Sequence, residues 1–338
     1  ASLDPKSLQR GTMVPGVRKQ SALPTRRLTV VPLQWTGAAW KSSDRANVDA
    51  IVAELVPWWH SMSARQETLA VKVTETLDVS RDVAAGSCDI QAMANAARDM
   101  LDAKGLDTTT DNLMMTFTPD TKECGFAGLG EVGGTTTWTY AGNGYSGVWA
   151  HELGHNLGLR HSGDEDTNYK PNYFSIMNYL YSLTGLDPDP RTASAFERWR
   201  REATSDTSSP CNLTASPCGT SFIIDYSSGS STVLNEQTLN EADHMGRGTT
   251  GGAYADWDLN GSLTSGTIKV DLNQDQQYQS LHDYDDWSHL TLPFVREFSG
   301  NRNRSLVLTT PKPVMNPIGQ DRQEVAIEHP GRFRLKAP

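Results

Sequence analysis

His151-Glu152-Leu153-Gly154-His155-Asn156-Leu157-Gly158-Leu159-Arg160-His161 gathers three histidines and a glutamate into one short run. On an α-helix, side chains four positions apart lie on one face, so His151 and His155 can aim their imidazoles at one metal ion. Glu152 sits one position further round, placed to hold a metal-bound water without filling the coordination shell. Gly158 tolerates the left-handed backbone that a sharp helix end needs, and the reversal brings in His161 as a third ligand. Three protein ligands with one open position describe a catalytic zinc site, since a structural site is normally closed by a fourth. The competing reading is a helix whose histidines are solvated or satisfied within a core. It must produce four matched positions by accident.

Ser175-Ile176-Met177-Asn178-Tyr179 follows, after a polar stretch rich in turn formers. Together the two stretches carry HExxHxxGxxH and a downstream methionine turn, and the chain resembles the metzincin zinc metallopeptidases. The resemblance covers roughly residues 28–180 and implies an α+β (mixed α/β) fold. Its expected form is a twisted, mostly parallel sheet with backing helices above the cleft, over an irregular and enlarged lower subdomain. In that family the turn methionine, here Met177, forms an apolar floor beneath the zinc-binding histidines. Tyr179 stands where astacin-like and serralysin-like members carry a tyrosine that can bind zinc and swing away to stabilise an oxyanion. A packing or surface tyrosine is the alternative. Ser162 resembles the matrixin pattern, whereas Met177-Asn178-Tyr179 resembles serralysins or astacins. Cys124-Gly125-Phe126-Ala127-Gly128-Leu129-Gly130 and Ala150-His151-Glu152-Leu153-Gly154-His155-Asn156 are similar to gametolysin-type enzymes, although the methionine turn departs from their form.

The implied activity is that of a secreted zinc endopeptidase. His151, His155 and His161 hold zinc as neutral imidazoles, and the metal lowers the pKa of its bound water to about 7. Glu152 acts as general base on that water and carries the proton toward the leaving amine, with no serine or cysteine nucleophile. Substrates would be proteins or peptides bound extended in a cleft. The Gly-rich stretch Gly125 to Gly134 occupies the place of the family's edge strand and could pair with peptide by strand addition, or form a flexible loop. Two other classes compete: a noncatalytic secreted binding or adhesion protein that keeps the fold, and a zinc-dependent hydrolase of small-molecule amides.

A formal net charge of -10 over 338 residues argues against nucleic acid or an anionic membrane as partner. No run approaches the ~18 apolar residues of a membrane span, and a monomer is expected. No signal peptide is visible and alanine comes first, so the chain reads as a mature or trimmed product. Cys88, Cys124, Cys211 and Cys218 allow three pairings; Cys88–Cys124 and Cys211–Cys218 are favoured, with free buried thiols as the alternative. Secretion is the favoured compartment, in keeping with the even cysteine count, and the formal sequons at Asn212, Asn260 and Asn303 matter only where the source glycosylates such sites. Asp256, Asp258 and Asn260 fall at positions one, three and five of a calcium loop, with Gly261 at six. Position twelve is Thr267, which lacks the carboxylate such a loop needs, although Asp271, Asn273 and Asp275 could add oxygens. An Asn-Gly hairpin turn between two short strands is the favoured alternative.

The chain divides into an extended arm or pro-segment remnant (1–27), a catalytic subdomain with the zinc helix (28–165), a C-terminal subdomain with the methionine turn and insertions (166–300), and a tail (301–338). A separate accessory domain from about 201 is an alternative. Strands are expected at Arg27 to Gln34, Leu69 to Leu77 and Leu113 to Phe117, with an irregular or edge strand within 125–140. In the second of these, Val71, Val73 and Leu77 would share one face. Helices are expected at Asp44 to Arg65, Asp89 to Ala103 and from Gly147, with shorter ones at Leu234 to Met245 and Asp283 to Phe298.

Overall fold

The computed structural model describes residues 25–63, 67–79, 89–106, 112–118, 126–142, 146–182, 185–186, 196, 199–200, 223–243 and 254–290. All four cysteines, Asn212, Asn303, the N-terminal arm as far as residue 24 and the 301–338 tail lie outside them.

Strand β1 (Thr25–Gln34) is apolar on both faces, as an interior strand of a parallel sheet must be. It pairs in parallel with β2 (Thr68–Val73), β3 (Leu77–Asp78) and β4 (Asn112–Phe117). The sheet ends in a hairpin. β5 (Gly128–Gly130) is the terminal strand, antiparallel to β6 (Thr136–Tyr140), which itself lies parallel to β4. The order is β2-β1-β4-β6-β5, with β3 beside the far end of β1.

Alternation along the strands sends Leu28, Val30 and Met114 to one face and Val31, Leu33 and Met115 to the other. Helix α1 (Ser42–Met62) covers the first face with Val48, Ile51, Leu55, Trp58 and Trp59, beside the helix that carries the histidines. Helix α2 (Ile90–Ala103) covers the second with Met93, Ala94, Ala97 and Leu101. Its start is fixed by Asp89, whose side chain accepts the Ala92 N–H at 2.9 Å. A third cluster, including Phe174, Tyr181, Trp199, Trp257 and Leu272, lies under loops. The mixed α/β fold with a mostly parallel sheet is the one the sequence implies. No described helix is long and apolar enough to cross a membrane.

Several expectations are corrected. The strand from Leu69 to Leu77 is two strands, because the chain leaves β1 after Thr74 and returns at Leu77. The break changes the register, so Val71 and Val73 pack on one face of the sheet and Leu77 on the other. Within 125–140, β6 is an interior strand and only β5 is at the edge. The described part of Leu234 to Met245 is β7 (Leu234–Asn235), paired with β8 (Ser280–Leu281), followed by turns. Its carboxylates Glu236 and Glu241 are buried and accept backbone N–H groups from distant loops, which a solvated helix face could not do. Asp283 to Phe298 yields only a single helical turn, α4 (Asp286–His289), and residues 291–298 lie outside the described part. No strands flank Asn260-Gly261, because the Asp256 carboxylate takes both of their N–H groups and winds the segment into a loop.

Trp59 is fully buried among Trp58, Tyr226 and Trp287, with the Arg26 guanidinium 5.4 Å above its ring. Trp59→Ala is expected to cost about 3–5 kcal/mol of stability through lost burial and a residual cavity. Urea unfolding measures it, and a loss within experimental error of zero would contradict the packing described.

Candidate metal centre

Helix α3 (Ser146–Asn156) is buried along its whole length, packed against α1, β5 and β6. It ends as expected. Gly158 adopts φ +97°, Leu159 donates its N–H to the Gly154 carbonyl at 3.0 Å, and Gly158 donates to the His155 carbonyl at 2.9 Å. Arg160 and Gly163 then exchange N–H···O bonds of 2.7 and 3.1 Å, and this tight turn carries His161 back toward the helix.

His151 donates its Nδ1–H to the Ile176 carbonyl at 2.6 Å, and His155 donates its Nδ1–H to the Leu159 carbonyl at 2.7 Å. A carbonyl only accepts, so both protons sit on Nδ1 and each neutral ring keeps a bare lone pair on Nε2. Those two Nε2 atoms are 3.0 Å apart, and one ligand atom from each of His151, His155 and His161 falls within 4.8 Å of the others. Facing lone pairs repel unless a cation lies between them. Burial holds His151 down at about 3, and the charge of His161 adds to the effect. Burial, followed by Arg160, holds His161 at about 4. Burial also pushes His155 well below the usual imidazole range, with His151 and His161 adding to it. Three neutral imidazoles, with the tautomers of His151 and His155 fixed by backbone carbonyls, form a donor set that fits zinc.

Glu152, fully buried beside this triad, lies against the backbone of β5. A Cβ at Gly128 would overlap its carboxylate, and one at Gly130 would come within 2.7 Å of its carbonyl oxygen and 2.8 Å of His155 Cβ. The hairpin tip is tied to the same helix. Asn156 donates to the carbonyls of Glu131 and Thr136 at 3.0 Å each, and Gly133 donates its N–H to the His155 carbonyl at 2.8 Å. Met177 is buried beneath the helix, its sulfur so close to Gly154 that a Cβ there would overlap it. The Tyr179 ring centroid lies 4.5 Å from that of His161 and 5.9 Å from that of His151.

The structure thus brings His151, His155, His161, Glu152, Met177 and Tyr179 together, with Gly158 at the reversal. Asp256, Asp258 and Asn260 form a separate loop, which a distant residue joins. Glu241 accepts the Asp258 and Thr264 N–H groups at 3.3 and 2.8 Å, and its carboxylate clusters with those of Asp256 and Asp258. Asp271, Asn273 and Asp275 do not supply this cluster; they form a second loop of the same design. There Glu236 accepts from Leu272 and Gln279 at 2.7 and 3.0 Å. Both loops place residues four and six at positive φ: Leu259 and Gly261 in one, Gln274 and Gln276 in the other. Residue-by-residue reading missed Gly128, Gly130 and Gly154, whose lack of a side chain makes room for Glu152 and Met177. Two glycines spaced by two ahead of the signature were the available signal.

In comparisons with known proteins, residues 59–179 match the family described as gametolysin peptidase M11. That stretch contains the whole triad, Glu152, Met177 and Tyr179, so the resemblance to a metzincin-type zinc metallopeptidase stands over this part of the chain. No curated protein sequence matches. Among solved structures, one described as a chaperone–substrate complex aligns over 44% of this chain and 26% of its own, at 14% identity and a TM-score of 0.30. Metalloproteinase-II from Bacteroides fragilis aligns over 44% of this chain and 46% of its own, at 14% identity and a TM-score of 0.29. This chain therefore spans about a quarter of the first and under half of the second.

Gly128→Ala is expected to displace the Glu152 carboxylate while leaving the three imidazoles in place. Peptide hydrolysis should fall roughly 10²–10⁴-fold, the usual worth of a positioned acid–base group, with zinc content unchanged. Turnover of a fluorogenic peptide together with elemental analysis checks this, and near-normal turnover would contradict it.

Proposed function

We propose that the chain is a secreted zinc endopeptidase, acting as a monomer, that hydrolyses internal peptide bonds of protein substrates bound extended in a cleft. One observation carries this reading: the Glu152 carboxylate, adjacent to the histidine triad, lies against β5, the terminal strand of the sheet among the described residues. A peptide adding to the outer edge of β5 would run past the general base and the metal ligands together. The even cysteine count favours the extracellular assignment.

Bound zinc would supply Lewis-acid polarisation of water and of the scissile carbonyl. Glu152 takes a proton from the attacking water as the new C–O bond forms, then delivers it to the amine nitrogen as the C–N bond breaks. His151 and His155 hold their ring orientation through backbone carbonyls, so neither moves as charge develops. Tyr179, beside His161, is placed to donate its phenol to the oxyanion. Calcium in the loop of Asp256, Asp258 and Asn260, with Glu241 as an added oxygen ligand, belongs to the same proposal. Millimolar calcium should raise the melting temperature, and an unchanged melting temperature would contradict calcium binding.

The test of activity is incubation of the purified chain with casein and a quenched peptide library, with and without a zinc chelator, beside Glu152→Ala. Cleavage that the chelator abolishes and the variant loses by roughly 10³-fold is expected. A wild-type chain that binds zinc but cleaves nothing would favour the noncatalytic binding-protein reading. Hydrolysis of small amides alone would overturn the endopeptidase assignment.

A further inference from the structure

The methionine turn is held in place from outside itself. Ile176, whose carbonyl accepts the His151 proton, donates its own N–H to the Asp225 carbonyl at 2.9 Å. On one side of that contact, the Ser175 hydroxyl oxygen accepts the Met177 N–H at 3.1 Å. On the other side, the Trp287 indole N–H donates to the Asp225 carboxylate at 3.2 Å. A single buried carboxylate joins the two sides. Asp286, at 0% exposure, accepts the Tyr173 phenol on Oδ1 at 2.7 Å and the Ser227 N–H on Oδ2 at 2.9 Å. The Ser175 hydroxyl also bonds this carboxylate, and the Asp286 N–H returns to the Ser227 carbonyl at 3.0 Å.

We infer that Asp286 is a positioning residue for the metal centre: its carboxylate clamps the turn of Tyr173 to Met177 onto the segment of Asp225 to Ser227, and so aims the Ile176 carbonyl at His151. It touches no metal ligand and is not a catalytic residue. The inference rests on the zinc reading proposed above. Its distinguishing consequence is that only one imidazole depends on the clamp. His155 is anchored by Leu159, within the reversal that ends its own helix, and Asp286 has no bond to that segment among those described. Burial lifts the Asp286 carboxyl to about 7 in spite of the bonds from Ser175, Tyr173 and Ser227. An apolar side chain would fill the space at less cost, so it is the bonds the carboxylate makes that account for its presence there.

The test uses the full chain loaded with cobalt(II), whose paramagnetism shifts the ligand imidazole N–H protons out of the protein envelope in NMR spectra. The wild-type chain should show two protected signals, from His151 and His155. In Asp286→Asn, one of them should exchange with solvent about tenfold faster while the other is unchanged, and metal affinity should fall roughly 10–100-fold. Tyr173→Phe, which deletes one hydroxyl of the clamp, should show the same selectivity with a smaller effect. Two signals that respond equally, or not at all, would overturn the inference, as would failure of both variants to fold. A wild-type chain that takes up no cobalt would overturn the metal reading and this inference with it.

Discussion

The Nδ1–H bonds from His151 to the Ile176 carbonyl and from His155 to the Leu159 carbonyl are the constraint on which the rest of the centre depends. Each bond fixes a tautomer, and with it the lone pair that faces the centre. Without them the buried rings could rotate or carry their protons inward, and the close approach of the two Nε2 atoms would serve nothing. Both acceptors are backbone carbonyls, so the chain path itself aims the ligands. One carbonyl lies in the reversal after Gly158 and the other in the methionine turn. This is why a glycine with positive φ and a turn some twenty residues downstream belong to one chemical unit.

The sheet contributes at its edge. Gly128 and Gly130 let β5 approach α3 closely enough for Glu152 to lie against strand backbone, and Asn156 ties the hairpin tip to the same helix. The packing below matters equally. Tyr226 donates its phenol to the Ala150 carbonyl at 2.6 Å and meets Trp58, Trp59 and Trp287, so helix α3 is seated on an aromatic cluster that reaches α1, α4 and the segment behind the methionine turn. A dense apolar support of this kind resists displacement of the histidines when a metal enters or charge develops.

The centre was legible in the sequence because its spacing is local. The residues at 151, 155, 158 and 161 sit on one helix and its reversal, where periodicity maps directly to position. The main strands and the helices of the upper sheet were legible for related local reasons: β1 is a short β-branched, apolar run that includes Val30 and Val31, and Met93 and Ala97 follow the helical period of 3.6. What could not be read depends on contacts across long separations. Asp286 meets Tyr173 from 113 positions away. Glu236 and Glu241 look like the solvated face of a helix, yet both turn inward to bind the N–H groups of loops that follow much later. Nothing in the local pattern distinguishes an inward carboxylate from an outward one when its partners are backbone amides. The same difficulty hid the close contacts at Gly128 and Gly154, where the informative feature is an absent side chain.

X-ray absorption at the zinc edge of the purified, metal-replete chain tests the central claim most directly. The account predicts one zinc per chain with three imidazole nitrogens at about 2.0–2.1 Å and one further light ligand at similar distance. A shell containing sulfur, a fourth imidazole, or zinc well below one equivalent would contradict it.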